Sequence, residues 1–214
     1  MFYLVKSPWL LKNFFPTCIW EMETKENILY LTFDDGPHPV VTPFVLDILK
    51  EYNAKATFFC IGKNVANQTD VYQRIIREGH AVGNHTFDHL NGWKTSDEKY
   101  LQNISEAQQI IHSNLFRPPY GRITKFQIRQ LSARAFKLKT IMWSVLSGDF
   151  DPDLPIEECY LNVASNSKAG SIIVFHDSLK AFEKLKIVLP GILKHFTSGG
   201  YKFDRITFSE EETA

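Results

Sequence analysis

The stretch Tyr30-Leu31-Thr32-Phe33-Asp34-Asp35-Gly36-Pro37-His38-Pro39 sets the interpretation of the whole chain. An apolar, β-prone run from Ile28 ends in two adjacent carboxylates, and Gly-Pro then forces a turn. Neighbouring strand residues point to opposite faces, so two adjacent acids can take different roles only where the strand ends. The pattern predicts a buried strand with negative charge at the rim of a sheet. A surface turn without chemistry is the alternative.

Strand-like and helix-like segments alternate along the chain, and no change of composition marks a linker. Further strands are predicted at 56–61, 81–83, 115–116, 140–145, 171–175 and 201–203. Helices are predicted at 42–49, 70–78, 95–113 and 155–165, and also from 124 and from 180, the last with a break or kink at Pro190. Alternation of this kind is typical of a parallel sheet in an α/β fold. The number of strand–helix units favours a closed or nearly closed (β/α) barrel over an open sheet.

Composition narrows the class of protein. The 214 residues are 44% hydrophobic and 22% charged, which suits one large folded domain with a sizeable core. Lys+Arg and Asp+Glu number 24 each, so charge gives no support for a nucleic-acid partner. Cys18, Cys60 and Cys159 lie far apart and form neither a disulfide framework nor a zinc-thiolate motif. We expect three reduced thiols.

The N-terminal residues 1–16 are apolar but contain two lysines and two prolines. They make a poor signal peptide and are too short to span a membrane, so a cytoplasmic location is the default expectation. We expect the segment 1–27 to pack its aromatic side chains on a barrel formed by 28–208, with 209–214 as a tail. Contact with a lipid surface is the alternative for the N-terminal segment.

Ionisable residues collect just beyond the predicted strand ends. They are Asp34, Asp35, His85, Arg117, Asp149 and His176. In a (β/α) barrel the loops that follow the strands converge on one face, where active sites lie. The pattern therefore indicates one catalytic or binding site.

His85-Thr86-Phe87-Asp88-His89 places two imidazoles at i and i+4, which predicts a helical turn with both rings on one face. Thr86 stands where a zinc protease of the HExxH type has its glutamate, so a general base must come from elsewhere. Two histidines and one carboxylate make a three-ligand catalytic metal site with an open position. Either Asp34 or Asp35 would bind the metal, and the other would accept a proton.

These motifs resemble those of the polysaccharide deacetylases with a NodB homology domain, carbohydrate esterase family 4. The matching stretches are Thr32–Gly36, His85–His89, Arg117–Tyr120, Trp143–Phe150 and Val174–His176. The resemblance implies a distorted (β/α) barrel of seven or eight strands in a single domain. It also implies metal-dependent hydrolysis of acetyl groups on a carbohydrate, usually N-acetyl on an amino sugar of chitin or peptidoglycan type.

The resemblance assigns a role to each matching residue. Asp35, His85 and His89 would hold a divalent metal, most often Zn²⁺, with Co²⁺, Ni²⁺ or Mn²⁺ as options. Asp34 would be the general base, oriented by Arg117, and His176 the general acid, held by Asp149. The backbone N–H of Tyr120 would stabilise the oxyanion. Tyr120, Phe150 and Trp93 are the expected sugar contacts.

Two positions depart from the family pattern Asp-x-x-Asp-Trp, because Leu146 replaces the first Asp and Phe150 replaces the Trp. These changes bear on substrate contacts more than on the chemistry. Three other functions stay open: an O-acetyl xylan esterase, a metal-dependent amidohydrolase acting on a non-carbohydrate amide or cyclic imide, and a non-catalytic carbohydrate-binding barrel. A complete set of base, ligands and acid argues against the last.

Overall fold

The computed structural model describes residues 3–133 and 136–208, so the predicted tail 209–214 lies outside the described residues. The strands are β1 (Ile28–Asp34), β2 (Ala56–Cys60), β3 (Ala81–Asn84), β4 (Leu115–Phe116), β5 (Lys139–Thr140), β6 (Val145–Leu146), β7 (Ile172–His176) and β8 (Lys202–Phe203). The helices are α1 (Trp9–Phe14), α2 (Val41–Glu51), α3 (Gly62–Asn67), α4 (Thr69–Arg77), α5 (Asp97–Gln108), α6 (Lys125–Ser132), α7 (Ile156–Ala164) and α8 (Leu179–Ser198).

The strands form one curled parallel sheet in the spatial order β5-β4-β3-β2-β1-β7-β6, and β8 pairs with the start of β1. The predicted distorted (β/α) barrel in a single domain is confirmed. β1 is central, and its register places Asp34 opposite Phe59 of β2 and opposite His176 of β7. The carboxyl end of β1 therefore brings an acid and a histidine side by side.

β1 divides its side chains between two layers. Leu29, Leu31 and Phe33 belong to the main core with residues of α2 and α8, whereas Tyr30 belongs to the cluster inside the barrel. Because strand residues alternate, Thr32 and Asp34 point to the same side as Tyr30. The strand thus delivers Asp34 to the interior while its alternate residues anchor the sheet to the helices.

The end strands of the sheet differ most from the sequence prediction. Residues 140–145 were expected to form one strand, but β5 pairs with β4 at one edge and β6 pairs with β7 at the other. That expectation is wrong, because residues 141–144 cross between the two edges instead of continuing beside one neighbour. Trp143 lies in this crossing and not within a strand.

The N-terminal segment forms backbone hydrogen bonds along the crossing. The Ile19 N–H donates to the Thr140 carbonyl at 2.9 Å, and the Met142 N–H donates to the Ile19 carbonyl at 2.7 Å. Further along, the Leu146 N–H donates to the Val5 carbonyl at 2.8 Å. Backbone groups from β5 to β6 that have no partner within the sheet therefore form hydrogen bonds with the N-terminal segment. Buried peptide groups require such partners.

Its aromatic side chains are not all packed. Phe15 and Trp20 contact the cluster that includes residues of α6, but Trp9 and Phe14 are exposed. The expectation that the N-terminal aromatics pack on the main body is wrong for Trp9 and Phe14. The division of the chain at residues 27 and 208 stays a prediction.

Local sequence signals were partly reliable. The Thr124–Gln127 capping box that opens α6 is present, with both side chains bonding the opposite backbone N–H. The equivalent signal at Thr95–Glu98 fails, because α5 begins after Ser96 without a side-chain cap and ends at Gln108. α8 runs through Pro190 without ending, since buried residues on both sides of the proline hold it in the core. Among the described helices, none has the length and apolar character needed to cross a bilayer.

Candidate active site

Every predicted ionisable residue lies at or just beyond the carboxyl end of a strand. Asp34 and His176 are the last residues of β1 and β7, while His85 and Arg117 directly follow β3 and β4. Asp149 lies in the loop after β6. The parallel topology brings all these groups to one rim, as the sequence predicted.

Asp35, His85 and His89 form a compact group of metal-type ligands. One ligand atom from each lies within 4.8 Å of the others. Asp35 Oδ1 is 3.2 Å from His89 Nε2 and 3.7 Å from His85 Nε2. Asp35 has a φ of 80°, which turns its carboxylate away from the path of β1 and toward the histidines. The structure thus brings Asp35, and not Asp34, to the two imidazoles.

The His85–His89 segment is a loop, so the helical turn predicted for it is wrong. Thr86 and His89 adopt positive φ values of 63° and 58°, in the left-handed region and far from the φ of about −63° of an α-helix. The Asn103 side-chain oxygen accepts hydrogen bonds from the Phe87 and Asp88 N–H groups at 2.9 and 3.0 Å. A buried asparagine on α5 therefore holds the loop in shape, and no local pattern in the sequence pointed to this residue.

The two histidines and Asp35 have the electrostatics of ligands for a cation. Burial lowers the pKa of His85 to about 4, so its ring is neutral at pH 7. His85 Nδ1 is 2.8 Å from the Arg117 carbonyl oxygen, which makes Nδ1 the donor and leaves Nε2 free to bind. Burial opposes ionisation of Asp35, but the neighbouring His89, His176 and His85 hold its pKa well below the usual range. Two imidazoles and one carboxylate fit a zinc-type ion.

Asp34 is paired with Arg117 inside the barrel. Arg117 Nη1 donates to Asp34 Oδ1 at 2.8 Å and to Thr32 Oγ1 at 2.6 Å. Its other nitrogens donate to the carbonyls of Ile141 and Met142. Both side chains of the pair are buried. The arginine therefore fixes the orientation of the Asp34 carboxylate at the rim.

His176 is paired with Asp149. Its Nδ1 lies 2.8 Å from Asp149 Oδ1, and its backbone N–H donates to Asp149 Oδ2 at 2.7 Å. Burial alone would lower the pKa of His176, but Asp149 beside it, with smaller contributions from Asp35 and Asp34, raises that pKa to about 9. The ring is therefore protonated at neutral pH.

Replacing Asp149 by asparagine is expected to move the alkaline limb of kcat/KM to lower pH by about 1–3 units. The raised pKa means that protonated His176 is present below pH 9 and is lost as the pH rises through that value. Without the Asp149 carboxylate, His176 should lose its proton at a lower pH. A pH–rate profile of the variant tests this, and an unmoved alkaline limb would exclude His176 as the acid.

The turn after β1 is held by residues that the sequence reasoning missed. Asp177 Oδ1 accepts from the Gly36 N–H at 2.9 Å, and the Asn64 amide donates to the Asp35 carbonyl at 2.7 Å. A Cβ on Gly36 would lie 2.0 Å from Asp177 Oδ2, so only glycine fits there. Asp177 directly follows His176, and this position beside a predicted site residue was the one feature of the sequence that could have marked it as part of the site.

The predicted sugar contacts have different surroundings. The Tyr120 ring is exposed and lies 4.6 Å from the His89 ring. The Phe150 ring lies 5.2 Å from His176 and also 5.2 Å from Tyr3, a residue with no signal in the sequence. Trp93 is exposed, with Arg122 above its ring at 4.3 Å. Tyr120 and Phe150 thus flank the group of ligands and acid–base residues.

Leu146, the other departure from the family pattern, is buried in β6. It pairs with Val174 of β7. This position therefore presents no carboxylate to the site.

Fold and site together define the class: a NodB-type (β/α) barrel whose carboxyl rim carries candidate metal ligands and the ion pairs Asp34–Arg117 and His176–Asp149. The profile of the polysaccharide deacetylase family matches residues 21–137. The chain belongs to this family.

Known proteins of the family are similar over most of the chain. A peptidoglycan-N-acetylglucosamine deacetylase of Bacillus cereus is 36% identical over 197 residues, covering 89% of this chain and 91% of that protein. A chitooligosaccharide deacetylase of Azorhizobium caulinodans is 38% identical over 159 residues, covering 71% and 74%. The crystal structure of the Bc1960 peptidoglycan N-acetylglucosamine deacetylase superimposes with a TM-score of 0.84 at 28% identity, over 94% and 95% of the two chains.

Proposed function

We propose that this protein removes acetyl groups from an N-acetylated amino-sugar polymer or oligomer of peptidoglycan or chitin type. The observation that carries the proposal is the arrangement of two separate ion pairs, Asp34–Arg117 and His176–Asp149, around the Asp35–His85–His89 group. A carboxylate oriented by an arginine and a histidine held protonated on the same rim are what amide hydrolysis needs. The similarity to deacetylases of amino-sugar polymers supports the substrate class.

Asp35, His85 and His89 would hold a divalent metal, with Zn²⁺ favoured by the imidazole-rich donor set and Co²⁺, Ni²⁺ or Mn²⁺ as substitutes. When bound, the metal supplies Lewis acidity to the acetyl carbonyl and lowers the pKa of the attacking water. The choice between the two adjacent acids follows from their partners. Asp34 is engaged by Arg117, whereas Asp35 faces both imidazoles.

Asp34 is assigned as the general base that accepts a proton from water. His176 is assigned as the general acid, because an amine leaves only when it is protonated. The pKa of His176, raised to about 9 beside Asp149, keeps that proton available at neutral pH. The backbone N–H of Tyr120 is assigned to the negative charge that develops on the acetyl oxygen. The rings of Tyr120, Phe150 and Trp93 are assigned to stacking on sugar rings.

Chelator treatment is expected to abolish acetate release from N-acetylglucosamine oligomers, and stoichiometric Zn²⁺ is expected to restore it. The physical reason is that Asp35, His85 and His89 would hold the ion whose Lewis acidity the hydrolysis requires. The measurement compares untreated, stripped and zinc-restored protein on these oligomers and on acetylated xylan. Metal content is determined on the same samples.

The outcomes separate the alternative functions. Release from xylan only would identify an O-acetyl esterase. Tight zinc binding without release from any sugar would contradict the deacetylase proposal in favour of a non-carbohydrate amide or imide. Failure to bind zinc would contradict the ligand assignment and favour a non-catalytic binding barrel.

A further inference from the structure

The N-terminal segment leaves large apolar side chains in solvent. Fourteen large hydrophobic residues are exposed in the described part of the chain, and five of them fall within residues 4–14: Leu4, Trp9, Leu10, Leu11 and Phe14. Trp9 and Leu10 are 73% and 72% exposed. Single exposed apolar residues are ordinary, but a contiguous group marks an interaction site.

The group continues onto α6. Lys125 Nζ lies 3.8 Å from the centre of the Phe14 ring, and the exposed Phe126 follows directly. Arg129 lies one turn further along α6 and is also exposed. We name Trp9, Leu10, Phe14, Lys125, Phe126 and Arg129 the α1–α6 face.

Charge is segregated on this face although the whole chain is neutral. Residues 1–20 and 107–148 contain no Asp or Glu, and α1 and α6 come from these two stretches. The charge of Lys12 is compensated, because Lys12 forms an ion pair with Glu21. Lys125 and Arg129 are exposed, and no carboxylate in the described part of the chain forms an ion pair with them. The α1–α6 face therefore combines apolar side chains with uncompensated positive charge.

We propose that the α1–α6 face docks on an anionic lipid bilayer. The aliphatic Leu10 beside two aromatic rings suits the boundary between headgroups and acyl chains, and the flanking Lys125 and Arg129 suit lipid phosphates. Long basic side chains reach the headgroups while their stems lie along apolar surface. A sugar polymer would instead require aromatic faces surrounded by hydrogen-bonding groups.

Docking would hold the candidate active site beside the bilayer. At one end of the N-terminal segment, the Tyr3 ring contacts Phe150, whose ring contacts His176. At the other, Tyr120 precedes α6 by five residues, and its ring contacts His89. The candidate active site would then encounter carbohydrate chains near the membrane surface before more distant ones.

Sedimentation with vesicles tests the proposal without requiring turnover, so it is independent of the proposed function. The full chain is mixed with vesicles of phosphatidylcholine and phosphatidylglycerol at 3:1, and with vesicles of phosphatidylcholine alone. We expect binding to the anionic vesicles that weakens at high salt. Trp9→Ser with Leu10→Ser should weaken it about tenfold, and Lys125→Gln and Arg129→Gln about fivefold each.

Matched controls lie elsewhere on the surface. Leu161→Ser removes an exposed leucine of α7, which carries Glu157 and Glu158, and Lys194→Gln removes an exposed charge of α8. Both should bind like the parent chain, and circular dichroism should show all variants folded. Equal binding to neutral vesicles, or binding unaffected by the Trp9 and Leu10 changes, would overturn the proposal. So would a dimer, seen by analytical ultracentrifugation without lipid, that dissociates on the same two changes, because a second copy would then cover the face.

Discussion

Replacing Asp34 by asparagine is expected to lower kcat for acetate release by about 10²–10⁴-fold while zinc stays bound. Asp34 is buried, and its carboxylate is oriented by Arg117, so it is the acid suited to accept a proton at the rim. Asparagine keeps the shape and one acceptor oxygen for the arginine but has no basic site. The measurement pairs steady-state kinetics on N-acetylglucosamine oligomers with metal content of the same preparation.

Asp35→Asn is the matched control, one residue along the chain. The Asp35 carboxylate faces His85 and His89. Replacing it by an amide should therefore weaken zinc binding and leave the base, Asp34, intact. The two variants should therefore differ in metal content and share low activity. Full turnover by Asp34→Asn would remove Asp34 as the base, and loss of zinc from that variant would place Asp34 among the ligands.

Arg117→Met is expected to lower the free energy of unfolding by about 3–5 kcal/mol. The guanidinium is buried and donates to the Thr32 hydroxyl, the Asp34 carboxylate and two backbone carbonyls of the crossing between β5 and β6. It also lies 4.1 Å above the Phe59 ring. Methionine fills part of the volume but leaves Asp34 as a buried charge without a partner. Urea unfolding of the metal-free protein measures the difference.

Two further variants locate the origin of that loss. Arg77→Met, at an exposed position of α4, should change stability by less than about 0.5 kcal/mol. Asp34→Asn combined with Arg117→Met should recover part of the loss, because no unpaired carboxylate then remains. A loss below about 1 kcal/mol for Arg117→Met alone would contradict the view that this ion pair ties β1 to the crossing.

Much of the fold follows from local pattern. An apolar run that ends in Asp34, Asp35 and Gly36 predicts a buried strand meeting a rim, and the alternation of strands with helices predicts a parallel barrel. Both are local consequences of residue type and period. The two short end strands were missed, because residues 139–146 carry one β-prone pattern while the barrel gives its two halves different neighbours.

The ionisable residues of the candidate site were likewise visible in the sequence, because each lies at or just beyond the carboxyl end of a strand. The residues that hold the loops around them were not visible. Asn103 supports the His85–His89 loop from α5, and Asp177 holds Gly36 from the end of β7. Such partners lie far away in the chain, and only folding brings them within hydrogen-bond distance.

The acids, histidines and arginine of the site could thus be predicted from the sequence, because a residue at the carboxyl end of a parallel strand lies at the rim of the barrel. The residue pattern alone left open which acid faces the histidines, and only the family resemblance pointed to Asp35. In the structure the choice depends on a positive φ at Asp35 and on an arginine that follows another strand. The exposure of Trp9, Leu10 and Phe14 was equally hidden, because apolar composition alone does not say which face of a short helix finds a partner. Residue type and period act locally, whereas partners across the barrel and exposure at its surface depend on the packed whole.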